Sequence, residues 1–144
     1  MRARLFGAFV AFVFVIGFGV FNTASAEKAP MTVDGATTVD VKQAEALFND
    51  GVAFVDPRGQ SDYDRGHVPG AVHLDLAGKS TVLTEDSLAK AIGGKDAKVV
   101  FYCNGINCMR SPDACAKAVG WGFKNVYFFR DGFPAWKDAG LPVE

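Results

Sequence analysis

Between Thr37 and Ala139 short apolar runs alternate with segments of helical periodicity, and that alternation restricts the chain to few folds. Thr37-Thr38-Val39, Val52-Ala53-Phe54-Val55, Ala71-Val72-His73-Leu74, Lys98 to Tyr102 and Asn125 to Phe129 read as strands, rich in β-branched and aromatic residues. Asp40 caps a helix with Val41, Ala44, Leu47 and Phe48 on one face, ended by Asn49-Asp50-Gly51. Thr84 caps a second with Leu88, Ala91 and Ile92 inward, stopped by Gly93-Gly94. Ser111 to Val119 and Pro134 to Ala139 supply two more. Apolar strands alternating with helices predict an α/β fold, a parallel sheet with helices on both faces. In such sheets ligands gather outside the carboxyl ends of the strands, where Asp56, Arg58 and Cys103 all fall.

The first residues stand apart from this pattern. Met1-Arg2-Ala3-Arg4 is a basic start, Leu5 to Phe21 is an unbroken apolar run, and Ala24-Ser25-Ala26 offers an Ala-x-Ala cleavage site. Residues 1–26 therefore read as a signal peptide, with a retained membrane anchor as the alternative, and the protein as exported, in the periplasm. Residues 27–36 are polar and without periodicity, and are expected to be a loose leader before a single domain over 37–144. Removing Arg2 and Arg4 from the 15 basic residues leaves 13 against 16 acidic ones, a net charge of about −3. That balance gives no reason to expect nucleic acid as a partner, and a membrane only if the signal segment is retained.

Chemistry concentrates around one cysteine. Val99-Val100-Phe101-Tyr102 leads into Cys103, and after a short loop comes a strong helix start, with Ser111 read as N-cap, Pro112 at the first helical position and Asp113 complementing the helix dipole. A thiol between a strand end and a helix N-terminus meets backbone N–H groups that stabilise a thiolate and bind an anion, so Cys103 is the candidate nucleophile. Asn104, Gly105, Ile106, Asn107, Cys108, Met109 and Arg110 form the candidate anion cradle, with the Arg110 guanidinium suited to a doubly charged oxyanion. The three cysteines, Cys103, Cys108 and Cys115, are too few and too clustered for a disulfide framework. Cys108 reads equally as a passive loop residue and as a resolving thiol, and Cys115 as core. Asp56 and Arg58 read either as an ion pair tying a strand to its loop or as pocket lining. His67 and His73 lack the paired spacing of a metal site, and no metal or other cofactor is expected.

Val55-Asp56-Pro57-Arg58, Tyr63 and Gly66-His67-Val68-Pro69-Gly70-Ala71 resemble the first half of a rhodanese domain. Cys103, the loop to Arg110-Ser111, and the run Gly132-Phe133-Pro134-Ala135-Trp136 to Glu144 resemble the second. The resemblance implies a three-layer sandwich around a central, mostly parallel five-stranded sheet, and a cysteine that carries sulfane sulfur as a persulfide. It implies transfer from a donor such as thiosulfate to a thiophilic acceptor, cyanide, a thiol or a protein. Two half-reactions through a covalent intermediate imply ping-pong kinetics. Usual single-domain members resemble Cys-x-x-Gly-x-Arg-Ser, whereas six residues here separate Cys103 from Arg110. The longer loop suits a larger oxyanion and introduces Cys108. It keeps alternatives open: a thiol-disulfide or oxyanion redox activity using Cys103 and Cys108, a phosphatase, or a persulfide carrier with little turnover of its own.

Overall fold

The computed structural model describes residues 27–144; the expected signal segment, residues 1–26, lies outside the described residues. Ten elements follow in chain order: β1 (Ala36–Val39), α1 (Val41–Asn49), β2 (Ala53–Asp56), α2 (Gln60–Arg65), β3 (Val72–His73), α3 (Glu85–Ile92), β4 (Lys98–Tyr102), α4 (Arg110–Gly120), β5 (Asn125–Phe129) and α5 (Gly132–Asp138). The strands form one five-stranded sheet in the order β1-β5-β4-β2-β3, with every strand pair parallel. The architecture is the expected α/β sheet with helices, and no strand departs from the parallel arrangement.

Local chemistry places the elements. Asp40 accepts a hydrogen bond from the Gln43 amide while the Gln43 side chain accepts one from the Asp40 amide, a reciprocal cap that starts α1. Thr84 and Ser87 repeat the device at α3, and Gly93 ends that helix in the left-handed conformation at φ 94°. Helix α2 was not legible as a helix: Gln60-Ser61-Asp62-Tyr63-Asp64-Arg65 is short, polar and without a buried residue, so no apolar stripe announces it.

Side-chain alternation along the central strand β4 divides the core in two. Val99 and Phe101 point into one layer with Leu88, Ala114, Cys115, Ala118 and Phe128. Val100 and Tyr102 point into the other with Ala44, Phe54, Phe129, Phe133 and Trp136. All four of these β4 side chains are fully buried, which is why the strand reads as a continuous apolar run rather than an alternating one. Trp136 sits edge-on to Phe48 and Phe54, with ring centroids 5.2 and 5.8 Å away, and its indole N–H donates to the Pro142 carbonyl at 2.7 Å. The C-terminal segment is thereby fastened under the sheet.

Topology then selects one place for a site. From β2 the chain runs outward to β3 at one edge; from β4 it runs the other way, to β5. The crevice between the carboxyl ends of β2 and β4 is the point where the connections diverge. Asp56 ends β2 and Cys103 follows β4, so the two lie on either side of that crevice.

Residues 27–36 are not a loose leader. Ala29 is buried, its amide donates to the Ile106 carbonyl at 2.7 Å, and Arg130 donates to the carbonyls of Ala29 and Pro30 at 2.9 and 2.8 Å. Tertiary hydrogen bonds hold this stretch, which is why it carries no periodicity of its own.

Candidate active site

Cys103 is the first residue beyond β4 and is almost fully buried, at 1 % exposure. Its carbonyl accepts from the Phe133 amide at 2.8 Å, which locks the loop onto the start of α5. Gly132 makes that approach possible. It sits at φ 62°, and a Cβ there would collide with the Cys103 carbonyl and stand 3.0 Å from the Gly105 nitrogen. The Gly-Phe-Pro-Ala-Trp run is therefore a backing plate for the cysteine loop as well as a helix.

The loop folds back on itself. Gly105 takes φ 100°, the Cys108 amide donates to the Gly105 carbonyl at 3.0 Å, and Cys103 and Cys108 are joined in a disulfide with Cα atoms 6.2 Å apart. Cys108 is partly exposed, so the bridge joins a buried residue to one partly open to solvent. The helix after the loop begins earlier than its sequence suggests. Met109 takes the N-cap position without a side-chain cap bond, and the Asp113 amide already donates to the Met109 carbonyl. Ser111 is thus not the cap; it lies buried in the first turn, and its Oγ has no hydrogen-bond partner. Met109 already has helical dihedrals, φ −87° and ψ −7°, so the helix begins directly after the cysteine loop.

On the β2 side, Asp56 and Arg58 form a buried bidentate pair: Arg58 Nε donates to Asp56 Oδ1 at 2.9 Å and Nη2 to Oδ2 at 2.6 Å. The Tyr102 hydroxyl donates to the same Oδ2 at 2.8 Å and accepts from the Val68 amide at 3.1 Å. Arg58 Nη2 also donates to the Gly66 carbonyl, and its guanidinium lies 4.9 Å from the centre of the Phe133 ring. Burial works against the Arg58 charge, but the hydrogen bonds and charge of Asp56 outweigh it and its pKa is raised. Burial, reinforced by the Asp56 carboxylate, pushes the Tyr102 phenol far up, so it remains a donor.

This network reaches the cysteine loop through one residue. Arg58 Nη1 donates to Asn104 Oδ1 at 2.8 Å, and Asn104 Nδ2 donates to Asp62 Oδ2 at 3.0 Å. The residue after Cys103 is therefore gripped from both sides. Arg58, Asp62, Arg65, Asn104, Phe133 and Lys137 line a cavity of about 300 Å³ beside the loop, in which three cations face one carboxylate. Both readings of Asp56 and Arg58 have a counterpart here: they are a buried ion pair, and Arg58 also lines the cavity.

Arg110 occupies different ground. Its Nη1 donates to Asp75 Oδ1 at 2.6 Å and to the Pro57 carbonyl at 3.2 Å, and it does not line the cavity. The guanidinium expected to face an anion is neutralised by Asp75 in this disulfide form. Cys115 is buried against the sheet, and burial pushes its thiol pKa up, which makes it inert. Tyr63 stacks between His67 and His73, at 3.7 and 4.7 Å between ring centres, so both histidines serve the wall behind β2. Asp62, Arg65, Tyr102, Phe133 and Lys137 escaped sequence reasoning as site residues: Asp62 and Arg65 belong to the unannounced helix α2, Tyr102 reads only as the end of a strand, and Phe133 and Lys137 only as part of the run from Gly132 to Glu144.

A family model described as the rhodanese-like domain matches residues 40–139. The chain belongs to the rhodanese-like domain family. The thiosulfate sulfurtransferase GlpE of Pseudomonas savastanoi pv. phaseolicola is 35 % identical over 96 residues, covering 67 % of this chain and 82 % of that protein. The HTH-type transcriptional regulator Rv0324 of Mycobacterium tuberculosis is 38 % identical over 93 residues, covering 65 % of this chain, and the match spans only 38 % of the regulator. The solved structure of the BH2092 protein from Bacillus halodurans superposes with a TM-score of 0.63 at 24 % identity, covering 76 % of this chain and 77 % of that one, a likeness of fold. Membership of this rhodanese-like family, with thiosulfate sulfurtransferases among its relatives, supports a sulfurtransferase-type enzyme at the level of the family.

Proposed function

We propose that this rhodanese-like protein is a sulfurtransferase that moves a sulfane sulfur from thiosulfate, or a related anionic donor, to a thiophilic acceptor through a persulfide on Cys103. The observation that carries the reading is the position of Cys103, next to the diverging crevice of a parallel sheet and in the loop between β4 and the N-terminal end of α4. With the disulfide reduced, the Cys103 thiolate attacks the outer sulfur of the donor, the S–S bond of thiosulfate breaks, and sulfite leaves with the bonding pair. Loop amides and the positive end of α4 stabilise the thiolate, the chemistry by which such sites lower a cysteine pKa. Arg110, exchanging Asp75 for the donor, supplies a charge-assisted contact to the anion. An acceptor, cyanide or a thiol or a protein partner bearing one, then removes the sulfur in a second step. On the reading of residues 1–26 as a signal segment, this happens outside the cytoplasm.

The test is thiocyanate formation from thiosulfate and cyanide by pre-reduced protein. Wild type should turn over with ping-pong kinetics. Cys103→Ser should be folded and inactive, because a serine hydroxyl is scarcely ionised at neutral pH; retention of more than a few per cent of activity by that variant overturns the reading. A thiol-disulfide or oxyanion redox activity is the second reading, favoured by the Cys103–Cys108 disulfide, and reduction of a disulfide or an oxyanion at the expense of an external dithiol, without thiocyanate formation, would select it.

A further inference from the structure

The sulfurtransferase reading counts the Cys108 backbone among the candidate cradle but has no work for its thiol, yet the fold takes care to bring that thiol to Cys103. Gly105 turns the loop, the Cys108 amide closes it on the Gly105 carbonyl, and the Ala29 amide holds the Ile106 carbonyl between them. The result is two sulfurs at bonding distance from Cα atoms 6.2 Å apart, one on a residue 1 % exposed and one on a residue partly open to solvent. We infer that the pair makes this protein a persulfide reductase: Cys108 resolves the Cys103 persulfide internally and releases its sulfur as hydrogen sulfide. The inference rests on the sulfurtransferase reading and extends it to a second product.

The step balances. Cys103 as Sγ–S–H meets the Cys108 thiol; the Cys108 sulfur attacks Cys103 Sγ, a Sγ–Sγ bond forms, and the bond from Cys103 Sγ to the sulfane sulfur breaks. The sulfane sulfur leaves as hydrosulfide with the bonding pair and takes up the proton lost by Cys108. The sulfane sulfur is reduced and the two cysteines are oxidised together by two electrons. Attack on the outer sulfur instead moves the persulfide to Cys108, from which Cys103 closes the same disulfide with loss of the same hydrosulfide. Regeneration requires an external dithiol, which is oxidised to its disulfide. Over a cycle, thiosulfate and a dithiol give sulfite, hydrogen sulfide and a disulfide.

Accessibility gives the order of that last exchange. An incoming thiolate reaches the partly exposed residue, Cys108, before the buried Cys103, which then departs as the leaving thiolate. A buried nucleophile that is poorly placed for a bulky acceptor is thereby linked to solvent through its neighbour.

Protein reduced, freed of reductant and kept anaerobic should receive one equivalent of thiosulfate with no acceptor, followed by assay of sulfite and sulfide and by intact mass. Wild type should release one sulfite and one sulfide per chain and end two hydrogens lighter. Cys108→Ser should release one sulfite and no sulfide, and end one sulfur atom heavier; its sulfite burst reports that it is folded. Wild type that keeps the added sulfur and releases no sulfide overturns the inference while leaving the sulfurtransferase reading intact. Absence of sulfite and of any mass change in both proteins overturns that reading, and this inference with it.

Discussion

At the scale of single residues, the Asp56 carboxylate is the most heavily used group near the site. It receives the Arg58 guanidinium, the Arg58 amide at 3.0 Å and the Tyr102 hydroxyl, all without access to water. Removing one member of a buried charged pair strands the other, and that asymmetry exceeds the net contribution of the pair itself. Asp56→Ala should therefore destabilise the protein by about 3–5 kcal/mol, and Tyr102→Phe, which leaves the charges paired but orphans the Val68 amide, by about 1–3 kcal/mol. Urea denaturation of the two variants checks the order; equal losses would mean that the hydroxyl, rather than the ion pair, holds the crevice. Arg58 in turn positions Asn104, so the same carboxylate reaches the cysteine loop through two side chains.

At the scale of elements, the site is a meeting of three segments far apart in sequence: the cysteine loop, the start of α5 and the stretch 27–36. The Phe133 amide holds the Cys103 carbonyl, and the Ala29 amide holds the Ile106 carbonyl. Arg130, just after β5, clamps the Ala29 and Pro30 carbonyls and so controls whether the N-terminal stretch can reach the loop. Arg130→Ala removes charge-assisted hydrogen bonds worth about 1.5–3 kcal/mol to a segment with no secondary structure of its own. Amide hydrogen exchange should then show at least a tenfold loss of protection at Ala29, with the amides of β4 and β5 unchanged. Unaltered protection at Ala29 would mean that burial of its methyl group alone docks the segment.

At the scale of the whole molecule, the Cys103–Cys108 link ties the redox state of the surroundings to the stability of the fold. The cross-link spans a sequence separation of only 5 residues, so it removes little chain entropy from the unfolded state. A loop that short is worth about 2 kcal/mol on the chain-entropy model. Reduction should lower the free energy of unfolding by about that amount and leave a cooperative, folded protein, measurable as a lower urea midpoint with an unchanged slope. A fold lost on reduction would make the bridge a structural staple and remove Cys108 from any catalytic cycle. The sheet itself needs no such staple, since β4 is buried on both faces and each of the two core layers closes over large aromatic side chains.

Much of this was written into local sequence. The strands β4 and β5 and the helices α1 and α3 are legible because their apolar periods, caps and glycine stops act within a few residues of one another. Cys103 is legible for the same reason, as a thiol between an apolar strand and a helix start. What sequence alone left open depends on contacts between distant segments. Helix α2 has no apolar stripe and forms against the β2 loop; α4 starts at Arg110 with Met109, not Ser111, as its cap; and residues 27–36 gain their order from Ile106 and Arg130. Arg110 is the sharpest case: its residue type announces an anion, but its actual partner, Asp75, comes from a loop beyond β3, and only the folded chain brings the two charges together. Residue type and spacing determine which chemistry the chain carries, because they act locally; the tertiary structure decides which of those groups are paired, buried or open, because burial and charge pairing are properties of neighbours that the linear sequence does not name.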